Sequence, residues 1–334
     1  MNSSKDILAK INKIRDDADK VKLASDIDLN ADVISTGSPK LDYKIGRTTG
    51  KGGVQLGRFS IFVGGEGSGK TITAMRVAAN AQKKTGKFVV IFDGEGTIDD
   101  SYYERSGLDK NKTYHIKGSN LESMLDTAEA FSGADDVCMI IIDSIPVFFS
   151  SAVEAKSAED NTIGIEAKKY NARMPIIKGK CINRGISLLA ITFYKLDPGA
   201  MGSDPRRLPR GEWQKYDSAL TLDFSKGDLI KDQNGEIIGH TLRVRIKKSK
   251  QSSYDPKEMF EIDLYYHNQG NPFNDFVSIL IDKDVIKRGG AWYTTPDGQK
   301  FQGEVKVCEY YNDNPELLKE LVEQNNLPLG DYFG

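Results

Sequence analysis

The stretch that most constrains this chain runs from Ile61 to Thr71. It joins an apolar run to a glycine-rich turn and ends in Gly69-Lys70-Thr71, so that it matches the phosphate-loop pattern G-x-x-x-x-G-K-[ST]. Glycines let the backbone turn tightly and point successive N–H groups at phosphate oxygens. A helix that begins near Lys70 adds the positive end of its dipole. The stretch therefore predicts a buried strand, a phosphate-binding loop and a helix, in that order.

Individual residues of this loop have distinct predicted roles. Lys70 can reach the β- and γ-phosphates of a nucleoside triphosphate, and the Thr71 hydroxyl can ligate Mg²⁺. The predicted nucleotide-binding residues of the loop are consecutive: Gly64, Gly65, Glu66, Gly67, Ser68, Gly69, Lys70, Thr71 and Ile72. An ordinary glycine-rich turn is the alternative, and the flanking strand and helix argue against it.

Two later apolar runs also end in acidic residues. Phe88–Asp93 is followed by Glu95 between two glycines, and the run that begins at Val137 ends in Asp143. Strands of this kind alternate with helical segments, which predicts an α/β fold with a central, mostly parallel sheet and helices on both faces. Ligands bind at the carboxyl ends of the strands in such sheets, so we expect both acids beside the phosphate loop.

Chemistry assigns a different task to each of these side chains. Asp143 is expected to hold Mg²⁺ next to Thr71. Glu95 is expected to orient and deprotonate the attacking water, with a solvated loop acid as the alternative. Tyr102 can stack on a nucleotide base, with a surface or core aromatic as the alternative. Together they predict a site that hydrolyses a nucleoside triphosphate.

Composition excludes several other classes of protein. The chain has 334 residues, a net charge of −2, three cysteines and three histidines. The cysteines and histidines are scattered, which argues against a disulfide framework, a histidine-based metal site or a catalytic triad. No apolar run reaches membrane-spanning length, so we expect a cytoplasmic protein without a membrane partner.

Three regions are expected along the chain: an N-terminal helix and linker (1–32), a core (33–267) and a small α+β domain (268–334). Ser4 can cap the first helix, whose apolar residues recur on one face. That face carries Ile7, Ile11, Ile14, Ala18 and Val21. Two interpretations are open, because the helix can pack on its own core or be lent to a neighbouring subunit.

A predicted hairpin near the end of the core raises a question about charge. Asn234-Gly235 is a strong turn signal, and the strand after it places Lys248 and Lys250 on the same face as the apolar residues from Leu242 to Ile246. Cations on that face need an anionic partner. The partner is either an internal carboxylate or a group from outside the chain.

Taken together, these residues resemble the RecA family of DNA strand-exchange proteins, of bacterial and phage type. The likeness extends from about Val33 to Leu321, and its motifs occur in the family's order and spacing. They are Ile34–Ser38, Gly64–Thr71, Phe92–Glu95, Ile141–Ser144, Arg243–Lys250 and Gly290–Tyr293. The resemblance implies a RecA-like P-loop ATPase core and an ATP- and Mg²⁺-dependent helical filament on single-stranded DNA. This filament pairs its strand with homologous double-stranded DNA.

The resemblance also implies roles for particular residues. Glu95 matches the family's catalytic glutamate, and Asp99 and Tyr102 match the residues around adenine. Lys248 and Lys250 match catalytic lysines that reach across the subunit interface to the neighbour's ATP. On this interpretation their anionic partner is phosphate bound by another subunit, and filament formation switches hydrolysis on.

Two DNA-binding loops are implied at roughly Glu154–Lys169 and Tyr194–Lys215. Basic side chains and backbone N–H groups there are expected to follow phosphates without reading sequence. The expected DNA-binding residues are Ile163, Gly164, Lys168, Arg173, Met201, Arg206, Arg207, Arg210 and Gly211. A solvated run of charge is the alternative for the second loop. The C-terminal domain is similar to the family's module that gathers duplex DNA.

One departure from the family stands at Phe193-Tyr194, where the usual pair is Asn-Gln. That pair senses the γ-phosphate and orders the second loop, so coupling between ATP and DNA is expected to differ here. The second loop also departs from the family's usual Thr/Gly-rich stretch, because it is rich in proline and arginine. These departures point to a divergent, phage-encoded member acting in the bacterial cytoplasm with single-strand-binding and loader proteins. Two other functions stay open: a structural filament that coats single-stranded DNA with ATP as an assembly switch, and a RecA-fold hexameric helicase.

Overall fold

The computed structural model describes residues 3–15, 20–26, 32–154, 164–196, 205–210, 213–232, 234–267, 270–327 and 332–333. Helices and strands alternate through most of this part of the chain. The helices are α1 (Ser4–Asn12), α2 (Pro39–Ile45), α3 (Lys70–Thr85), α4 (Asp100–Ser106), α5 (Leu121–Phe131), α6 (Ser151–Glu154), α7 (Ile165–Arg184), α8 (Trp213–Asp217), α9 (Pro272–Asp282), α10 (Glu304–Asp313) and α11 (Pro315–Gln324). The strands are β1 (Val33–Ile34), β2 (Val54–Gln55), β3 (Phe59–Gly64), β4 (Phe88–Asp93), β5 (Thr113–Lys117), β6 (Val137–Asp143), β7 (Ser187–Thr192), β8 (Lys195–Leu196), β9 (Arg206–Arg207), β10 (Leu220–Lys231), β11 (Ile237–Ser249), β12 (Phe260–Tyr265), β13 (Lys287–Gly289), β14 (Trp292–Thr294) and β15 (Lys300–Gln302).

An eight-stranded sheet forms the centre of the fold, in the order β12-β11-β10-β3-β7-β6-β4-β5. The strands from β10 to β5 are parallel to their neighbours, and β11 and β12 are added antiparallel. Every residue of β3, β6 and β7 is buried, as expected for parallel strands covered on both faces. The predicted α/β fold with a mostly parallel sheet is confirmed.

Helices cover both faces of this sheet. Because side chains alternate along a strand, Val89 joins the apolar cluster that contains Met75 of α3, while Val90 joins the cluster that contains Leu125 of α5 and Met174 of α7. Strand β7 lies between β3 and β6. The carboxyl ends of these three strands therefore meet at one edge, and the candidate site is built there.

The N-terminal helix differs in detail from the prediction. Its N-cap is Ser3 rather than Ser4, because the Ser3 side chain accepts the Asp6 N–H while the Asp6 carboxylate accepts the Ser3 N–H. Helix α1 ends at Asn12, so Ile14 lies beyond it, and Ala18 lies outside the described residues. No residue of α1 is buried, which disagrees with the interpretation that this helix packs on the core of its own chain.

Short elements also occur where none was predicted. The described parts of the segment from Tyr194 to Lys215 contain α8 and a small antiparallel pair, β8 with β9, in which Lys195 faces Arg207. Sequence periodicity misses such elements because two-residue strands carry no repeat.

Residues after 270 form a separate apolar cluster from α9, α10, α11 and the sheet β13-β14-β15. Helix α9 packs against α2 of the core. Polar contacts join the two elements, since Ser38 Oγ donates to Asp275 Oδ2 at 2.5 Å and Lys44 Nζ lies 3.0 Å from Asp282 Oδ2. The small domain is thereby held against the core at α2.

Candidate active site

The phosphate-binding loop connects β3 to α3 at the carboxyl edge of the sheet. A Cβ at Gly64 would lie 2.1 Å from the Phe224 carbonyl oxygen, and Gly69 adopts a φ of 77°. Both positions therefore require glycine. In contrast, a Cβ at Gly65 or Gly67 would meet no heavy atom within 4 Å, so this side of the loop faces open space. A phosphate group can approach the backbone there.

The polar groups of the loop suit an anionic ligand. Lys70 Nζ donates to the Gly65 carbonyl oxygen at 2.5 Å, and burial lowers the pKa of this lysine while nearby carboxylates raise it. Gly69 is the N-cap of α3, and among the described residues no side chain caps that helix. The first N–H groups of α3 are thus available to phosphate oxygens, and the loop fits a nucleoside triphosphate.

Thr71 and Asp143 come together at the carboxyl edge of the sheet, as predicted. The Thr71 hydroxyl donates to Asp143 Oδ2 at 2.6 Å. Burial raises the pKa of Asp143 to about 6, and Glu95 adds to this while Lys70 and the Thr71 hydrogen bond oppose it. A buried carboxylate that is costly to charge is a good partner for a divalent cation.

Magnesium binding by these two residues agrees with the rest of the site. Within the described residues, no group of three or more His, Cys, Asp or Glu side chains could hold a metal ion alone. Mg²⁺ is commonly bound through one or two protein ligands, with substrate phosphates and water completing its shell. Thr71 and Asp143 supply a protein share of that size, so the residues present fit Mg²⁺ bound together with a nucleotide.

Glu95 lies in the exposed turn after β4, where water can reach it. The Ser144 hydroxyl donates to Glu95 Oε1 at 2.9 Å. Asp93 shapes the turn itself, because its carboxylate accepts the N–H of Gly96 at 2.8 Å and of Ile98 at 3.2 Å. The Glu95 side chain is therefore held by Ser144, and the turn that carries it is held by Asp93.

Sequence reasoning gave no role to Ser144 or Asp93. Ser144 is buried, and it follows directly after Asp143. Its position at the end of the most apolar strand, directly after Asp143, is the sequence feature that could have identified it as part of the site. Asp93 is 1% exposed and also lies 3.2 Å from His115 Nε2. An acid that ends a buried strand and precedes a glycine-bounded turn could have been recognised as a cap for that turn.

The residues expected around adenine lie on α4. Asp99 is the N-cap of this helix, and its carboxylate accepts hydrogen bonds from the Ser101 hydroxyl at 2.6 Å and the Ser101 N–H at 2.9 Å. The Ser101 hydroxyl lowers the pKa of Asp99 most, and backbone N–H groups add to the effect. Tyr102 is partly buried, and the Arg105 guanidinium lies 5.8 Å from its ring centroid. Arg105 thus lies over the ring of Tyr102, while the Asp99 side chain caps the helix that carries Tyr102.

The expectation that Lys248 and Lys250 lie on the buried face of their strand needs correction. Lys248 Nζ donates to the backbone carbonyls of Lys215 at 2.6 Å and Tyr216 at 2.7 Å, and Lys250 Nζ donates to the Tyr216 carbonyl at 3.3 Å. Their partners within the chain are carbonyl oxygens rather than a carboxylate. A register shift in the β10–β11 ladder, where Leu222 faces Ile246 but Thr221 faces Lys248, interrupts the alternation that predicted a buried face.

The basic residues near the two predicted DNA loops fall into two groups. Lys168 and Arg207 are exposed, and Gly164 is the N-cap of α7 with a φ of 83°. Arg173 instead contacts Asp126 at 2.9 Å and Glu129 at 2.5 Å on α5. Its charge is compensated inside the chain, contrary to the expectation of a free DNA contact. Ile163, Met201 and Gly211 lie outside the described residues.

Arg210 also differs from the expectation. Its side chain is 5% exposed and lies 3.2 Å from Glu166 Oε2. Its Nε donates to the Ile145 carbonyl at 3.1 Å, and its Nη2 donates to the Phe148 carbonyl. A guanidinium buried in this way has little surface to offer DNA.

The unusual Tyr194 belongs to a charged cluster beside the phosphate loop. The Arg206 guanidinium lies 4.8 Å from the Tyr194 ring centroid, and Arg206 Nη1 lies 3.8 Å from Asp223 Oδ2. Asp223 pairs with Val63, which directly precedes Gly64. Burial raises the pKa of Asp223, and Arg206 and a hydrogen bond from Tyr194 oppose this. Tyr194 therefore joins the base of the second loop to the strand beside the nucleotide site.

Comparison with known proteins agrees with this site. The family described as the RecA N-terminal domain matches residues 3–270, which is most of the chain. The chain belongs to the RecA family. Members of this family are DNA-dependent ATPases of homologous recombination, and membership places this chain in that class.

Individual RecA relatives are similar along nearly the whole chain. Protein RecA of Clostridium botulinum (strain Alaska E43 / Type E3) is 31% identical over 317 residues, covering 93% of this chain and 86% of that protein. Protein RecA of Clostridioides difficile (strain 630) is 29% identical and covers 95% of this chain and 89% of that protein. Protein RecA of Acholeplasma laidlawii is 28% identical over 304 residues, with shares of 91% and 89%.

The RecA-family assignment bears on the broader expectations. RecA-family proteins bind DNA, form filaments and depend on ATP, generally with Mg²⁺. Neither a coating filament without strand exchange nor a hexameric helicase is favoured by these relatives. In the part of the chain that the structure describes, no helix is long and apolar enough to span a bilayer.

Proposed function

We propose that this chain binds ATP with Mg²⁺ at the phosphate loop and hydrolyses it with Glu95 as general base. Hydrolysis serves a helical filament that pairs single-stranded DNA with homologous double-stranded DNA. One observation carries the proposal: the phosphate loop, the Thr71–Asp143 pair and Glu95 lie at one sheet edge, with Glu95 held by Ser144. This arrangement supports nucleotide hydrolysis, which needs a phosphate-binding loop, a metal site and a general base close together.

The loop binds and orients ATP. Backbone N–H groups from Gly64 to Ile72 contact the phosphates, and Lys70 leaves the Gly65 carbonyl to meet the β- and γ-phosphates. Thr71 and Asp143 hold Mg²⁺, which when bound neutralises charge on the phosphate oxygens. Tyr102 packs on adenine, and Asp99 fixes the helix that presents it.

Glu95 moves the proton. Since Ser144 donates to Oε1, the other carboxylate oxygen, Oε2, is the acceptor for a proton of the attacking water. The water oxygen forms a bond to the γ-phosphorus as the bond to the bridging oxygen breaks, and ADP and phosphate leave. The proton taken by Glu95 then passes to solvent, because this side chain is exposed.

Lys248 and Lys250 complete the site of a neighbouring subunit. In the single chain they are bound to the carbonyls of residues 215 and 216, which are weaker partners for a cation than a phosphate. Within a filament these lysines exchange carbonyls for the neighbour's ATP. The exposed apolar side of α1 supports oligomerisation, because Ile7 is 47% exposed there.

DNA is bound along the two loops. Lys168, Arg206 and Arg207 supply charge, and Gly164 allows a close approach to backbone. Ile163, Met201 and Gly211 are further proposed contacts, on the family resemblance alone. The C-terminal domain, residues 268–334, gathers duplex DNA, and single-strand-binding and loader proteins act on the filament.

Formation of joint molecules tests this function. The chain is mixed with circular single-stranded DNA and homologous linear duplex, with ATP and Mg²⁺, and products are separated by gel electrophoresis. We expect ATP-dependent joint molecules that are absent with heterologous duplex. Helical filaments in electron micrographs without joint molecules would instead indicate a coating filament, and unwinding of a forked duplex would indicate a helicase.

A further inference from the structure

Arg210 joins three segments that are distant in sequence. Its Nε donates to the Ile145 carbonyl at 3.1 Å, its Nη2 donates to the Phe148 carbonyl, and its Nη1 lies 3.2 Å from Glu166 Oε2. Residues 145–148 follow β6, Glu166 lies in the first turn of α7, and Arg210 belongs to the second loop. One buried side chain thus contacts the bases of both predicted DNA loops and the segment after the Asp143 strand.

The surroundings hold Arg210 firmly in this place. Its φ of 62° lies in the left-handed region, which a residue with a Cβ adopts only where other contacts compensate. Burial lowers the pKa of the guanidinium, and Glu166 opposes this. Glu166 also accepts the Ser150 N–H at 3.4 Å. The arrangement costs desolvation and backbone strain, so it is not an incidental surface contact.

A short path leads from Arg210 to the candidate general base. Ile145, whose carbonyl accepts the Arg210 hydrogen bond, directly follows Ser144. The Ser144 hydroxyl in turn donates to Glu95 at 2.9 Å. Only Ile145 therefore separates the arginine from Ser144, the residue that holds Glu95. Both Ser144 and Ile145 are buried, so a shift of Arg210 would reach Glu95 through closely packed atoms.

We propose that Arg210 is a positioning residue, not a DNA contact: it holds the two DNA-binding loops together through Glu166 and ties them to the Ser144–Ile145 segment that orients Glu95. The inference rests on the proposed function, since it concerns how DNA on the loops affects hydrolysis. It assigns ATP–DNA coupling to the ion pair between the buried Arg210 and the partly exposed Glu166, independently of the pair Phe193-Tyr194.

The test compares Arg210→Lys and Glu166→Gln with wild type in steady-state ATP hydrolysis over a range of single-stranded DNA concentrations. Lysine keeps the charge but cannot form the forked contacts to two carbonyls and a carboxylate at once. We expect kcat at saturating DNA to fall about tenfold in both variants, the size of one lost charge-assisted hydrogen bond. The KM for ATP should stay within about twofold, because no ATP contact is changed.

A direct DNA contact predicts a different pattern. It would weaken DNA binding and reduce its salt dependence, leaving kcat at saturating DNA unchanged. The double variant should be no worse than Arg210→Lys alone, because both changes break one link. Arg184→Ala, which removes the 3.1 Å pair with Asp135 at the far end of α7, is the matched control and should leave stimulation intact.

The outcomes separate the two levels of the account. A wild-type chain without any DNA stimulation contradicts the proposed function and the inference with it. Wild-type stimulation that survives undiminished in either variant contradicts the inference alone. If Arg210→Lys fails to fold, as judged by its thermal melt, Glu166→Gln decides, because Glu166 is 31% exposed and its substitution conserves shape.

Discussion

The Thr71 hydroxyl donates a 2.6 Å hydrogen bond to Asp143 across the end of β7, the strand that separates β3 from β6. The two residues are 72 positions apart in the chain. Their contact joins the phosphate loop to the acid that ends the most apolar strand. It defines where a metal ion and the β- and γ-phosphates would meet, and it makes the site sensitive to the protonation of Asp143.

The raised pKa of Asp143 predicts a pH-dependent need for Mg²⁺. Burial raises this pKa from 3.8 to about 6, so below that pH a proton occupies the carboxylate that the cation needs. We expect the Mg²⁺ concentration for half-maximal ATP hydrolysis to rise by up to about tenfold per pH unit below pH 6. Titration of Mg²⁺ at several pH values measures this directly.

Although Mg²⁺ binding weakens as the pH falls below 6, the free protein should become more stable over the same pH range. The folded pKa lies above the unfolded value of 3.8, so Asp143 binds a proton on folding between about pH 4 and pH 6. The contribution of this bound proton to the free energy of unfolding is therefore lost as the pH rises through 6. Asp143→Asn should flatten both the stability and the Mg²⁺ profiles, and unchanged profiles in that variant would contradict this role.

Loss of the Ser144 hydroxyl is expected to slow turnover without weakening ATP binding. Ser144→Ala removes the donor to Glu95 Oε1 and should lower kcat about tenfold at unchanged KM, as one hydrogen bond to a charged group is lost. Ser144→Thr keeps the hydroxyl and should recover part of the rate. An equal loss in both variants would point to packing of this buried position rather than to orientation of Glu95.

The phosphate loop, its acids and the parallel sheet were predictable because they depend on local patterns. Gly64–Thr71 has a fixed spacing, and a parallel sheet brings the ends of its apolar strands to one edge whatever the details of packing. The same logic anticipated that Asp143 would lie beside Thr71.

Other features depend on contacts that sequence patterns do not encode. A register shift opposite Leu222 removed Lys248 from the face that alternation assigned to it. Arg173 and Arg210 were both expected to bind DNA, yet carboxylates on α5 and α7 pair with them. Charge alone cannot distinguish a residue that meets DNA from one that meets a neighbouring helix.

The pairing of Arg206 with Asp223 predicts that the resting protein binds DNA below its capacity. Asp223→Asn frees the guanidinium from its 3.8 Å carboxylate partner, and because partly exposed pairs are weak, DNA affinity should rise about two- to fivefold. Fluorescence anisotropy with labelled single-stranded DNA measures this effect. Asp228→Asn is the control, because Asp228 lies on the same strand as Asp223 and loses its 3.2 Å pair with Arg243 of β11. Equal affinities in wild type and Asp223→Asn would refute the competition.

Action of Lys248 across the subunit interface predicts complementation between inactive variants. Lys248→Ala should lose DNA-stimulated hydrolysis by about a hundredfold or more, as for other cations supplied in trans, yet still bind ATP. In an equal mixture with Glu95→Gln, a Lys248→Ala subunit keeps Glu95 and meets Lys248 on its neighbour. Since both conditions hold at about a quarter of the interfaces of a head-to-tail filament, a corresponding part of the rate should return.

The same mixture distinguishes the alternatives. If Lys248 acts only within its own chain, through the carbonyls of residues 215 and 216, mixing restores nothing. Lys231→Ala, at the far end of β10, serves as a surface control and should be unaffected.

The most direct test of the account is the rate of ATP hydrolysis by Glu95→Gln at saturating single-stranded DNA, measured beside wild type with ATP binding checked in the same samples. Glutamine keeps the size of the side chain and can still accept the Ser144 hydrogen bond, but it cannot take a proton from water. If Glu95 is the general base, ATP and DNA binding stay normal while turnover falls at least about a hundredfold. Turnover close to that of wild type would contradict this role of Glu95.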